Sequence, residues 1–279
     1  MAKSIKEINI DQTMLELATS LCRLTPQDDN LPIRVLQSLI ADNEVQALQD
    51  YANTVSISRL GFNDHGPVHM RTVCCNALRM LRILHDSHIE TTLVKEQTGT
   101  FEDSATAVIL AAFLHDIGMT VGRQDHELYS GIMAYKIIDN ILSKELPQPN
   151  QLQRRIIIRS MAMEGILGHM GTRKIHSIEA GLIQVADGCD MTKGRARIPI
   201  EINTKPTAGD IHKYSANSIE RVLIQRGEER PIKIEVHMSA EVGFFQIEEV
   251  LMQKISQSPV QPLIELFACV DGQEMKQYL

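Results

Sequence analysis

The sequence predicts a mainly α-helical protein with a small C-terminal α+β domain of ββαβ order. From residue 4 to about 190, apolar residues recur at the three- and four-residue spacing of amphipathic helices. This periodicity stops after Lys193, where the stretch 194–213 contains Pro199, Pro206 and Gly209. Beyond that stretch, short segments alternate or carry β-branched residues in the manner of strands. These three observations predict a helical body followed by a smaller mixed domain.

Helical segments follow from the apolar positions and from the polar, Gly and Pro residues between them. In chain order they cover residues 15–24, 33–51 (one or two helices), 68–84, 105–115, 126–142, 150–164 and 177–191. Thr25-Pro26 ends the first segment. Asp103 or Ser104 is the expected N-cap of the segment 105–115, and Gly118 is its expected end.

The C-terminal part predicts two strands, a helix and a third strand. Residues 220–226 and 231–237 form a hairpin with Gly227-Glu228-Glu229 at its turn. Residues 244–255 then read as an amphipathic helix, and residues 262–270 as the last strand. Together they give the ββαβ order.

Three domains are expected along the chain. Residues 1–60 form N-terminal helices packed on the core, residues 61–213 form the central domain, and residues 214–279 form the small α/β domain. The irregular stretch 194–213 is long for a loop without secondary structure. Such a stretch is typical of a lid, a binding loop or a linker.

Composition and charge limit the classes of function. The chain of 279 residues has 28 Lys and Arg against 35 Asp and Glu, a formal net charge of -7, which argues against a general nucleic-acid or anionic-membrane binder. The five cysteines form no CxxC pair, which favours a reducing compartment over a disulfide framework. Neither a secretory signal nor an apolar run of membrane-spanning length is visible, so we expect a cytoplasmic protein.

The adjacent pair His115-Asp116 is the most informative feature of the sequence. It follows the apolar run 107–114 and therefore lies at the end of a buried segment. Burying an imidazole and a carboxylate is costly unless something pairs with them. A divalent metal ion would satisfy both groups.

Other residues of ligand type lie at or near predicted helix ends. Several helix ends can converge on one bundle core, which is how helical proteins build metal sites. The candidates are His69, His126, His169 and Asp187. Asp190, three residues after Asp187, is expected to be structural or to support a ligand.

The order of these residues resembles the HD-domain superfamily of metal-dependent phosphohydrolases. The resemblance covers roughly residues 55–200 and implies that the helical body is an HD-domain bundle. The family ligands carried onto matching positions are His69, His115, Asp116 and Asp187. His126 and His169 match the two extra histidines of members that hold a second metal, such as the HD-GYP branch.

The sequence departs from the family pattern at two points. The family often has Lys three residues after the Asp of the motif, where this chain has Met119. The GYP motif is absent as well, so hydrolysis of a cyclic dinucleotide is not implied. The segment 187–197 (DGCDMTKGRAR) and the C-terminal domain resemble a group of uncharacterised HD proteins from archaea and bacteria.

The ligand types indicate the chemistry. Mixed imidazole and carboxylate ligands suit one or two divalent ions among Mn, Fe, Co, Ni, Zn and Mg, and the ligand list does not choose among them. Asp116 could bridge two ions. Water on such a centre becomes a nucleophile near neutral pH. We therefore expect an enzyme that hydrolyses a phosphate ester, in a nucleotide or a related phosphorylated metabolite.

Further residues are candidates for catalysis and substrate binding. Asp116, His65 and Arg71 are the candidate catalytic residues, with His65 as general acid or phosphate contact and Arg71 close to His69 on one helix. The candidate substrate-binding residues are Arg123, Lys193, Arg195 and Arg197. The alternatives are a simple turn at Asp64-His65-Gly66 and a solvated basic loop after residue 192.

Two other functions fit the same sequence. A di-iron HD centre supports oxygenase chemistry in a minority of the proteins that the chain resembles. A nucleotide-binding sensor or scaffold without turnover is the non-enzymatic alternative, with the C-terminal domain suited to ligand binding or dimerisation. The expected partner is a small phosphorylated substrate, with neither a nucleic-acid polymer nor a membrane, and a homodimer is the assembly considered.

Overall fold

Helices make up most of the structure, a computed structural model that describes residues 3–25, 29–192 and 211–279. The helices of the body are α1 (Ile5–Cys22), α2 (Leu31–Ala41), α3 (Asn43–Thr54), which continues as a π-helical turn (Val55–Arg59), α4 (Pro67–Asp86), α5 (Thr92–Lys95), α6 (Phe101–Leu114), α7 (His126–Glu145), α8 (Leu152–Gly168) and α9 (Ile178–Cys189). Short 3-10 turns cover Ile117–Thr120 and Pro149–Gln151. The predicted mainly α class is confirmed.

The start of α6 differs from the sequence prediction. Thr100 is the N-cap, and the helix begins at Phe101, several residues before the predicted start. The reason is a capping box: the Thr100 hydroxyl accepts from the Asp103 N–H at 3.3 Å, and the Asp103 carboxylate accepts from the Thr100 N–H at 3.0 Å. Asp103 therefore stabilises the first turn from inside the helix and does not precede it.

Helix α6 forms the centre of the helical body. Every residue from Glu102 to Leu114 is buried, and the helix packs against α2, α4, α8 and α9. A helix surrounded on all sides needs apolar residues around its whole circumference, which explains the uninterrupted apolar run before His115. Its C-terminal end consequently delivers His115 and Asp116 into the interior.

The C-terminal segment forms a four-stranded sheet. The strands are β1 (Ile219–Arg226), β2 (Ile232–Met238), β3 (Ile264–Val270) and β4 (Lys276–Gln277), in the order β1-β2-β3-β4. β1 and β2 form an antiparallel hairpin, β2 and β3 run parallel, and the short β4 is antiparallel to β3. The predicted ββαβ order is present, and β4 is an addition to it.

Two helical pieces flank the strands. Helix α10 (Ile211–Ser218) precedes β1, so the predicted irregular stretch 194–213 ends in a helix, while residues 193–210 lie outside the described residues. Between β2 and β3, the consecutive pieces Phe244–Gln246, Ile247–Leu251 and Met252–Ser256 form one helical segment, α11. Segment α11 packs against α9, and β1 packs against α4.

Within the described residues, no helix combines the length and the apolar character that crossing a membrane requires.

Candidate metal centre

The ends of five helices meet at one buried position in the helical body. His69 lies in the first turn of α4, His126 begins α7, and Asp187 lies in the last turn of α9. His115 and His169 directly follow α6 and α8. The side chains that converge there are His65, His69, His115, Asp116, His126, His169 and Asp187. All six predicted metal ligands are thus brought together.

The Asp116 carboxylate lies in the middle of the cluster, and its two oxygens face different histidines. Oδ2 is 3.2 Å from Nε2 of His69 and 3.4 Å from Nε2 of His115. Oδ1 is 3.1 Å from Nε2 of His126 and 3.4 Å from Nε2 of His169. One carboxylate is therefore shared between two groups of donor atoms.

Asp187 completes the first of these groups. Its Oδ1 lies 3.3 Å from Nε2 of His69 and 4.0 Å from Nε2 of His115. One ligand atom from each of these three residues lies within 4.8 Å of the other two, and the same holds for His115, Asp116 and His169. These spacings suit donors gathered around an ion.

The outer ring nitrogens determine which atom each histidine presents to the centre. Nδ1 of each ring lies 2.7 to 2.9 Å from an oxygen that acts only as an acceptor. Nδ1 of His115 contacts the Ala112 carbonyl, and Nδ1 of His126 contacts the Arg123 carbonyl. Nδ1 of His169 contacts the Ile166 carbonyl, and Nδ1 of His69 contacts the Asp190 carboxylate. Because Nδ1 donates to these acceptors, Nε2 is the nitrogen that faces the centre. This is the orientation of metal-binding histidines.

The inward-facing Nε2 atoms lie close to one another. Nε2 of His69 is 3.2 Å from Nε2 of His115, and the same distance separates Nε2 of His126 and His169. Asp116 Oδ1 is buried without a hydrogen-bond partner among the described residues. Buried acceptors that face one another cost free energy unless a cation lies between them. The His/Asp cluster could therefore bind a metal ion, and its donors fit one.

Charges around the cluster keep its carboxylates ionised. Burial alone would raise the pKa of Asp116, but His115 and His65 outweigh it and hold that pKa well below its ordinary value. At Asp187, burial alone would also raise the pKa. The Lys254 ammonium outweighs burial and holds the pKa of Asp187 well below its ordinary range. Both carboxylates are therefore anionic at neutral pH, as metal ligands must be.

A close backbone approach sets the position of Asp116 relative to His126. The N–H of Gly118 donates to the Ser130 hydroxyl at 2.8 Å. A Cβ at Gly118 would lie 2.0 Å from the His126 carbonyl oxygen, so no larger residue fits between this turn and α7. Asp125, just before His126, has a left-handed φ of 54°, which turns the chain into α7.

The sequence resembles a known protein over most of its length. It is 42% identical over 244 residues to the uncharacterised protein MJ1020 of Methanocaldococcus jannaschii, and the alignment covers 88% of this chain and 91% of MJ1020. The chain belongs to the MJ1020 family. No protein-family model matches this member of the MJ1020 family, and no solved structure matches it.

His65 lies at the rim of the centre in this MJ1020 family protein. Its Nδ1 is 2.6 Å from Asp116 Oδ2, and its side chain is 12% exposed whereas that of Asp116 is 2% exposed. The Asp64 carboxylate accepts from the Gly66 N–H at 2.7 Å, so the turn expected at these residues is also present. The turn places the imidazole between the cluster and solvent.

Arg71 is not part of the centre, which corrects its assignment as a catalytic residue. Its guanidinium is 1% exposed and donates to Asp11 at 2.7 Å, to Gln49 at 2.8 Å and to the Pro67 carbonyl at 3.1 Å. A further bond reaches Gln46 at 3.2 Å. With its donors committed to protein acceptors, Arg71 holds α4 against the N-terminal helices.

The predicted substrate-binding residues have different outcomes. Arg123 lies beside the loop that follows His169, with Nη2 3.8 Å from the Met170 sulfur. Its Nη1 is buried without a hydrogen-bond partner among the described residues, so it can still donate to an anion. The three basic residues of the following loop lie outside the described residues and stay predictions: Lys193, Arg195 and Arg197.

The sequence alone does not identify Lys254 as a residue of the centre, whereas it predicts that Asp190 is structural or supports a ligand. Lys254, in α11, donates to Asp187 Oδ2 at 2.5 Å and to the His169 carbonyl at 2.9 Å. Asp190 accepts from Nδ1 of His69 and so orients that ring. A signal for Lys254 exists, since it follows Leu251 by three residues on the apolar face of its helix.

Acid is expected to destabilise the metal-free protein through His169. Burial lowers the pKa of His169 to about 4, whereas an unfolded histidine titrates near 6.5. The neutral ring therefore contributes stability that is complete above pH 6.5 and is lost as the pH falls from there toward 4. The loss is up to about 3 kcal/mol. Urea unfolding of chelator-treated protein at pH 7.5, 5.5 and 4.5 measures it.

The matched control for this titration is the His169→Gln variant. It lacks the ring, so its free energy of unfolding should fall by about 3 kcal/mol less over the same pH range. Equal pH dependence in both proteins would contradict a buried, neutral His169.

Proposed function

We propose that this protein is an HD-type, metal-dependent phosphohydrolase that cleaves a phosphate ester of a nucleotide or a related phosphorylated metabolite. The observation that carries the proposal is the Asp116 carboxylate, whose two oxygens face two groups of inward-pointing imidazoles. The order of the donors along the chain and their place at helix ends support an HD domain. Two nearby donor groups favour a centre with two ions.

Each donor group would hold one divalent ion. His69, His115 and Asp187 would bind the first, and His126 and His169 the second, with Asp116 contributing an oxygen to each. Divalent ions on such ligands lower the pKa of coordinated water toward neutrality and offset charge on phosphoryl oxygens. The buried carboxylates keep the ligand set anionic without any proton to displace.

The residues at the rim of the centre would handle the substrate. His65 contacts Asp116 and is partly exposed, so it can hold a proton next to the leaving oxygen of an ester. Arg123 offers the buried, unpartnered Nη1 as a donor for a phosphate oxygen. Lys193, Arg195 and Arg197 remain predicted anion contacts.

Elemental analysis followed by a substrate screen tests this proposal. Protein purified without added metal should contain up to two divalent ions per chain, and a panel of nucleoside mono-, di- and triphosphates should give phosphate release above that of the Asp116→Asn control. Oxygen consumption with an iron-loaded protein and no phosphate release would favour the oxygenase. Nucleotide binding without turnover, unaffected by a change of His115, would favour the sensor.

The His65→Gln variant is expected to keep its metal and lose turnover. Without a proton donor, kcat for an ester with a poor leaving group should fall by about 100-fold. An ester with a good leaving group, such as a p-nitrophenyl phosphate, needs no proton and should fall far less. Steady-state kinetics on both esters, with metal analysis, measure the difference.

The control for this variant is His176→Gln, since His176 is exposed and lies outside the cluster. A His65→Gln protein that loses metal would make His65 a ligand and would contradict its role as proton donor. Equal losses for both esters would contradict it as well.

A further inference from the structure

Lys254 connects the C-terminal segment to the candidate metal centre. It belongs to α11, between β2 and β3, and is 9% exposed. Its ammonium reaches across the contact between α11 and α9 to the Asp187 carboxylate at 2.5 Å. The same ammonium donates to the His169 carbonyl at 2.9 Å. One lysine thus contacts a residue from each of the two donor groups.

The two oxygens of Asp187 have separate partners. Oδ2 accepts from Lys254, while Oδ1 faces Nε2 of His69 and of His115 at 3.3 and 4.0 Å. A carboxylate bound in this way cannot rotate to offer both oxygens to an ion without giving up a charge-assisted hydrogen bond. Lys254 therefore selects which oxygen of Asp187 faces the centre.

The packing around Lys254 is built to bring it close. A Cβ at Gly188 would lie 3.1 Å from Lys254 Cδ and 3.1 Å from Leu251 Cδ1, so the absence of a side chain at Gly188 lets α11 approach α9. The lysine stem shares the inner face of α11 with the fully buried Leu251 and Ile255. A cation on an apolar helix face is costly to bury unless it is paired, and here it pairs with a buried carboxylate.

We propose that Lys254 is a positioning residue of the metal centre, which holds Oδ2 of Asp187 so that Oδ1 alone faces the ion, and which thereby makes the C-terminal segment part of the site. The inference rests on the metal centre of the proposed function and not on the hydrolysis. The inference also predicts the direction in which metal binding changes stability. Lys254 and a bound ion would both neutralise Asp187, so removing Lys254 makes the stability of the protein depend more on the ion.

The Lys254→Met variant tests this role with Co²⁺, an ion that suits these ligands and absorbs visible light. The metal-free variant should have a lower Tm than metal-free wild type, and Co²⁺ should raise its Tm by about 5 °C more than it raises that of wild type. The freed carboxylate should also change the visible spectrum of bound Co²⁺. The matched control is Lys233→Met, which removes an ion pair with Glu235 elsewhere in the same segment and should leave both readouts unchanged.

A lysine that only docks the C-terminal segment gives a different result. The wild-type Co²⁺ spectrum and an equal metal-induced rise in Tm would overturn the proposal. If Lys254→Met does not fold even with Co²⁺, Lys254→Gln replaces it. Its amide can still donate to Asp187 Oδ2 but carries no charge, so Co²⁺ should again raise the Tm more than it raises that of wild type. An equal rise in both proteins would overturn the proposal. Wild-type protein that binds no Co²⁺ would overturn the metal centre as well, whereas bound Co²⁺ without phosphate release would overturn only the hydrolase.

Discussion

The Asp116→Asn variant is expected to lose metal binding and the proposed phosphohydrolase activity together. Among the described residues, it is the Asp116 carboxylate that faces both sets of imidazoles, through Oδ2 to His69 and His115 and through Oδ1 to His126 and His169. An amide of the same shape carries no charge and replaces one oxygen with an NH₂ group, which cannot bind a cation. Phosphate release should fall by on the order of 10³-fold or more.

The stability of the metal-free protein separates this loss from simple unfolding. In the metal-free wild type, Asp116 Oδ1 has no hydrogen-bond partner among the described residues, although Nε2 of His126 and Nε2 of His169 face it at 3.1 and 3.4 Å. An amide NH₂ at this position can donate to Nε2 of His126 or His169. Metal-free Asp116→Asn should therefore still unfold cooperatively, at a Tm below that of metal-free wild type, because it loses the stabilisation that goes with the depressed pKa of the Asp116 carboxylate.

The control for Asp116→Asn is Asp139→Asn, which makes the same change of charge on the outer face of α7, where Asp139 pairs with Arg159. It should retain metal and activity. Metal content by elemental analysis, phosphate release and Tm by calorimetry are measured on all three proteins. Retention of two ions by Asp116→Asn, or activity without them, would refute the role given to Asp116.

The convergence of the cluster could be anticipated because of where its residues stand in the helical pattern. His115-Asp116 follows a run that is apolar on all sides, and a helix of that kind ends inside a protein. His126 and His169 also lie at helix ends, which the turn residues between the segments marked in advance. Polar residues at several buried helix ends need polar partners, and one shared centre supplies them.

The position of Arg71 shows that nearness in sequence to a ligand does not imply nearness in space. It is two residues from His69 on α4, and residues two apart point to nearly opposite sides of a helix. His69 therefore enters the centre while Arg71 faces the N-terminal helices. Helical geometry alone would have excluded the pairing.

Lys254 could not be assigned from the pattern in the same way. Its position on the inner face of α11, three residues after Leu251, marks it as a buried cation. The pattern does not say which buried anion it meets, since Asp187 is 67 residues away in sequence. The partner depends on how the C-terminal sheet packs against the helical body, which periodicity does not encode. The two-residue β4 escaped prediction because it is too short to show alternation.

The Arg71→Met variant is expected to lose stability and to keep its turnover. Methionine preserves much of the stem but removes the donors that satisfy the Asp11 carboxylate and the Gln49 amide, and it removes the cation that lies 5.0 Å from the Phe113 ring centre. Breaking a buried ion pair on one side typically costs 3–5 kcal/mol, and Lys3, which also pairs with Asp11 at 2.8 Å, favours the lower part of that range. The free energy of unfolding should thus fall by about 3 kcal/mol.

Kinetics at a temperature well below the Tm decide between the two roles of this arginine. A residue that only joins α4 to the N-terminal helices leaves KM, and kcat per folded molecule, unchanged. A phosphate contact would raise KM or lower kcat by 10-fold or more, which corresponds to at least about 1.4 kcal/mol of transition-state stabilisation. Arg79→Met is the matched control, because Arg79 is exposed on the same helix and, within the described residues, donates to Asn76 at 3.3 Å. It should unfold like wild type. A stable Arg71→Met protein with impaired kinetics would return Arg71 to the substrate, and it would mean that the contacts to Asp11 and Gln49 give way when substrate binds.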